Sequence, residues 1–197
     1  MPEKIITRST TNTHFMLPES QLTALALTQG ATRAAIVNVS DVQFSDTFRD
    51  LCKMNSCGNF RKNWKCPPAV GEYEELKNQV LSFQKGLVIQ TVYHLEDSFD
   101  FEGMVKAKAI HEQVFRSVWN QIRNEKLLDP ILPLNAGICS YCEKCTYPDE
   151  ECRYPEEALA SVEAYGIDVT ALVTACGIPY NNGQASVSWV GTIFFND

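Results

Sequence analysis

Residues 137–155 read GICSYCEKCTYPDEECRYP and hold Cys139, Cys142, Cys145 and Cys152, half of the chain's eight cysteines. Three thiols at x2 spacing in a short irregular loop can all turn toward one compact inorganic centre, and that is the spacing of loops that hold iron–sulfur cubes. The fourth ligand of such a run would stand at the x3 position, which here is Asp149; the thiol arrives only at Cys152, so the stretch is a variant. A structural zinc site is the competing reading, but it usually takes two separated C-x2-C pairs as the two knuckles of a tetrahedron. A disulfide framework is the third reading. Spacing and thiolate softness favour iron–sulfur over both.

Toward the N-terminus, residues 52–71 read CKMNSCGNFRKNWKCPPAVG and bring Cys52, Cys57 and Cys66 at x4 and x8 spacing. The segment has neither helical nor strand periodicity, and so long a loop inside a compact domain is usually a functional one. Metal ligation would supply the ordering energy that apolar burial does not supply here. The blander reading is three small buried hydrophobes; against it, these thiols lie among Asn, Lys, Arg and Gly. Arg61, Lys62 and Lys65 are the most basic spot in an acidic chain. With Lys144 and Arg153 of the other loop, Arg61 and Lys62 would balance a thiolate-ligated centre and raise its reduction potential. Docking of an acidic redox partner is the weaker reading of that spot.

The rest of the composition narrows the class. A chain of 197 residues has room for one well-cored domain. A net charge of −7, from 17 basic and 24 acidic residues, argues against a nucleic-acid or anionic-membrane binder. The opening MPEKIITRSTTNTHF has no apolar run of signal-peptide or membrane-span length, so the expected location is cytoplasmic. In that reducing compartment, cysteines serve metal binding or redox chemistry more often than disulfides.

Periodicity supplies the frame. Residues 1–32 read as an N-terminal polar arm and a short helix from Pro18 to Gly30, and residues 33–197 as the metal-binding domain. Core strands are expected from Arg33, over 86–95, over 130–136 and over 185–195. Helices are expected over 72–83, over 104–128, from Pro155 to Tyr165, and from an Asp168 cap to Ala175. The result is one layered α+β domain, a sheet of about four strands with helices on one face. Since each cysteine loop follows a strand, both are expected at one end of that sheet.

CGNFRKNWKCPPAVG, then GICSYCEKCTYP-x5-CRYPEEALASVEAYGIDV, then Asn182-Gly183 before an aromatic-rich strand together resemble a domain-of-unknown-function family of predicted metal-binding proteins, found widely in anaerobic bacteria and archaea. The resemblance covers residues 33–195 and implies metal binding through Cys52, Cys57, Cys66, Cys139, Cys142, Cys145 and Cys152 as iron–sulfur clusters. Cys176 lies outside the motifs, as a structural helix residue or an eighth ligand.

Three functions follow. In the first, one or two [4Fe-4S] clusters serve electron transfer, or reductive activation of a redox partner protein. In the second, the three-cysteine loop leaves one iron open as a Lewis acid for dehydration or sulfur removal. An enzyme also needs an acid and a base, and Glu143, Asp149, Glu150, Glu151 and His111 are undistinguished candidates. The third is a zinc-stabilised interaction domain. A homodimer is the base-rate expectation for assembly.

Overall fold

The computed structural model describes residues 17–196. The polar arm expected over residues 1–16 lies outside the described residues. Two ten-residue strands, β2 (Lys85–His94) and β5 (Ser186–Phe195), pair antiparallel along their whole length. β1 (Arg33–Asn38) adds to the free edge of β2, and β3 (Ile131–Asn135) to that of β5. The last strand, β4 (Ala160–Ser161), runs parallel to β3, which gives a five-stranded sheet in the order β1-β2-β5-β3-β4.

Helices cover both faces of this sheet, not one. Leu87 and Ile89 of β2 and Ile193 and Phe195 of β5 pack under α1 (Glu19–Thr28) and α4 (Phe101–Asn124), against Leu22, Ala26, Phe115, Val118 and Ile122. The alternate residues Val88, Val190 and Phe194 pack on the other side against Leu76 and Val80 of α3 (Tyr73–Leu81) and Leu172 and Val173 of α5 (Val169–Ala175). The signal was in the sequence: Leu87, Val88 and Ile89 are consecutive apolar residues, all fully buried, and such a run marks a strand covered on both sides. α4 carries the strongest amphipathic pattern and begins at Asp100, whose carboxylate accepts from the Gly103 N–H at 2.7 Å.

The helix expected from Pro155 to Tyr165 does not form. Its acidic start makes one turn, then β4 pairs with β3, and a 3-10 turn (Glu163–Tyr165) ends in Gly166. Ala158, Leu159, Ala160, Val162, Ala164, Tyr165 and Ile167 are nearly all buried. A segment enclosed on every side does not need the single apolar stripe of a surface helix, and sheet pairing overrides its helical propensity.

β1 and β3 run in opposite directions, since three antiparallel pairings separate them in the sheet. The two cysteine loops therefore do not leave the sheet from the same end. The chain after β1 instead crosses the α3 and α5 face, pairing Phe44 with Ile167, before α2 (Thr47–Lys53) delivers it to the first loop.

Candidate metal centre

Cys52 stands in the last turn of α2, and Cys57 and Cys66 follow in the irregular chain before α3. The second loop leaves β3 through Gly137, which is left-handed at φ 68; a Cβ there would meet Cε of Lys108 at 3.0 Å. Side-chain bonds hold the two loops against each other. Asn63, buried in the first loop, donates from Nδ2 to the Cys139 carbonyl at 3.1 Å, and its Oδ1 accepts from the Lys65 N–H at 2.9 Å. Trp64 donates from Nε1 to the Glu150 carbonyl at 3.0 Å, and its ring meets Tyr147 edge to face at 4.9 Å.

This docking brings thiols of both loops together. Cys139, Cys142, Cys145 and Cys152 line one narrow cavity with Asn63, Trp64 and Lys65. Cys139, Cys142 and Cys145 also border an outer cleft of about 400 Å³ with Asn59, Lys62, Lys144 and Tyr147. Cys66 links the two groups: burial pushes its thiol up to about 12, and the charges of Cys57, Cys52, Cys139 and Cys145 push in the same direction. The Cys52 thiol is also raised, by burial first and then by Cys57 and Glu163, with Arg49 opposing. All eight cysteines are free thiols. Among the described residues, no three Cys, His, Asp or Glu side chains gather into a site for a single metal ion.

Cys176 lies apart from these thiols. It caps α5 and packs against the core on the α3 and α5 face, where burial raises its thiol to about 11 and Asp41 is the charge that acts on it. His111 is a core residue. It is 1% exposed, with Nδ1 2.8 Å from Thr91 Oγ1, and burial lowers its pKa to about 4. Its buried Nε2 is on the side of Asn135, whose side chain acts on the ring by hydrogen bonding and opposes that lowering. Glu143, Asp149, Glu150 and Glu151 are exposed on the second loop.

Of the cations read as balancing charge, Lys62 and Lys144 flank the outer cleft. Arg153 donates to the Lys144 carbonyl at 3.2 Å and ties that loop to itself. Arg61, left-handed at φ 60, lies with its guanidinium 5.5 Å from the Phe60 ring, on a separate cleft.

Sequence reasoning missed the residues that anchor the second loop to α4. Arg116 bonds Glu112 at 2.6 Å and the Glu157 carbonyl at 3.0 Å, and its guanidinium lies 4.8 Å from the Tyr141 ring. Lys108 reaches the Ile138 carbonyl at 3.3 Å. The Glu112 to Arg116 spacing of four on a helix was the available signal. Arg49 was missed too. It is 8% exposed, its Nη2 donates to the Gly71 carbonyl at 2.7 Å, and its Nη1 is buried without a partner.

The donor set suits a soft, thiophilic metal, because four thiols line the narrow cavity and Cys66 lies within electrostatic reach of thiols in both loops. Buried Arg49 beside Cys52 fits too, since thiolates bound to metal carry negative charge. No helix among the described residues is long and apolar enough to cross a membrane. A family model, described as predicted metal-binding protein (DUF2284), matches residues 35–195. No curated protein and no solved structure matches the chain.

Proposed function

The chain belongs to this family of predicted metal-binding proteins, and from that premise we propose that its two thiol loops hold iron–sulfur clusters, one or two of the [4Fe-4S] type, that carry electrons to a partner protein. The observation behind this reading is that the docked loops set four thiols on one cavity and place Cys66 within electrostatic reach of Cys52, Cys57, Cys139 and Cys145. One zinc ion uses four thiolates; a larger soft set suits multi-iron centres. Bound there, a cluster would supply one-electron chemistry. The chain would contribute the ligands, the half-buried setting, and the Asn63 and Trp64 bonds that hold the loops in register.

A second reading is favoured by the outer cleft, whose volume of about 400 Å³ lies against Cys139, Cys142 and Cys145. A small anionic substrate could enter between Lys62 and Lys144 and meet an iron not fully ligated by protein, for dehydration or sulfur removal. The exposed acids nearby lack the burial or paired geometry that marks a proton-transfer group.

Anaerobic purification, with iron, sulfide and zinc counted per chain, tests both readings. Four or eight irons with matching sulfide, and a broad absorption near ~400 nm, are expected of thiolate-bound cubes. A colourless protein with zinc and no sulfide after anaerobic reconstitution would replace both readings with a zinc-stabilised interaction domain. An EPR signal perturbed by a small carboxylate such as citrate separates the open-iron enzyme from the electron carrier.

A further inference from the structure

Arg49 presents an unusual charge balance. A guanidinium stays protonated in proteins, so it cannot escape burial by losing its proton as a lysine can. Buried charges are ordinarily paired. Among the described residues no carboxylate lies within ion-pair distance of Arg49, and the Gly71 carbonyl is its side chain's one hydrogen-bond acceptor.

The acids on the elements around it do not supply the missing charge. Asp46 and Asp50 share its helix, and Asp50 is engaged with Lys53 at 2.7 Å. Glu72 follows Gly71 and lines the same cleft. Glu163 lies on the 3-10 turn packed against α2, and burial pushes its carboxyl toward the neutral form. Cys52, one helical turn beyond Arg49, is the group on which the Arg49 charge acts. Cys57 and Cys66 act on Cys52 or are acted on by it. Metal ligation would set a thiolate at Cys52, one helical turn from the buried, unpaired guanidinium of Arg49.

We propose that Arg49 is the resident counter-cation of a thiolate-ligated centre on Cys52, Cys57 and Cys66, an inference that rests on the iron–sulfur reading above. Arg49 is a positioning and tuning residue; it ligates nothing. Its effect on stability changes sign with loading. In the apoprotein it is an uncompensated buried cation, and in the holoprotein it faces an anionic centre.

The test compares Arg49→Met and Arg49→Lys with the natural chain, as apoprotein and as anaerobically reconstituted holoprotein. The Arg49→Met apoprotein is expected to unfold at the same or a higher temperature, while the holoprotein retains less iron. In an EPR-monitored redox titration the reduced fraction of the upstream signal should fall about tenfold at a given solution potential, a shift of about 59 mV toward lower values. Arg49→Lys should restore most of that shift by restoring the charge.

A purely structural Arg49 would give the reverse: a less stable apoprotein, with iron content and potential unchanged. Cys52→Ser and Cys66→Ser separate the two levels of inference. If they leave iron and EPR signals intact, the loop holds no centre, and both the upstream assignment and the Arg49 role fall. If they abolish a signal that Arg49→Met does not move, only the Arg49 role falls.

Discussion

The layer under α4 and the junction of the two thiol loops lie close together but are held by different forces. Under α4, Phe115, Val118 and Ile122 are completely buried against Leu87, Ile89 and Ile193, and burying such side chains contributes about 1.5–3 kcal/mol each. At the junction the contacts are Asn63 to Cys139, Trp64 to Glu150 and the edge of Tyr147, and a typical hydrogen bond contributes about 1 kcal/mol net. The difference teaches that apolar burial carries the scaffold, while a few polar contacts carry the arrangement of the loops.

The largest test of that contrast is Phe115→Ala. The loss should be about 3–5 kcal/mol of unfolding free energy, as for other buried aromatic truncations, and it should be the same in apo and loaded protein when measured by denaturant titration. A loss confined to one form would join the two regions into a single unit.

Acid separates them next. The folded His111 pKa is about 4 against an ordinary 6.5, so the neutral ring belongs to the folded state. Its contribution is fully present above pH 6.5 and disappears as pH falls toward 4, up to about 3 kcal/mol. Urea titrations between pH 7 and pH 4 should show this loss, and His111→Gln should flatten it. An unchanged slope in that variant would place the acid sensitivity elsewhere.

Alkali should act on the junction instead. The raised thiols of Cys66 and Cys52 stabilise the protonated apoprotein below about pH 9. That stability is lost as pH rises from 9 through the folded Cys66 value of about 12. Cys66→Ser should reduce the alkaline loss in apoprotein melting curves without changing the acid limb.

The smallest effect is expected from Asn63→Ala, about 1 kcal/mol. Hydrogen exchange should locate it in residues 137–155 and leave β2 and β5 protected. Loss of protection in the central strands would contradict a junction that docks after the sheet is built.

These contrasts also explain what the sequence made legible. Strands β1, β2, β3 and β5, the long helix and the Asp168 cap follow from local pattern, and Asp168 does accept from the Ala171 N–H at 3.0 Å. β4 escaped because Ala160 and Ser161 have no strand signal of their own; their register comes from Leu134 and Asn135, far along the chain. The seven candidate thiols stand out by residue type and spacing. Arg49 did not, since an arginine in the helix TFRDLCK looks like any surface cation until its burial is known. The separation of Cys176 was equally unreadable, because it depends on which face of the sheet receives α5.

The position of β5 has one more consequence. It is the last strand in the chain, yet it lies between β2 and β3, which touch no other way within the sheet. As the chain emerges from the ribosome, the strands beside the two loops stay unjoined until residues 186–195 have been made. Early domains can fold while synthesis continues; this sheet closes only once β5 has been made. Docking of the two loops on a closed sheet thus comes after the synthesis of residues 186–195.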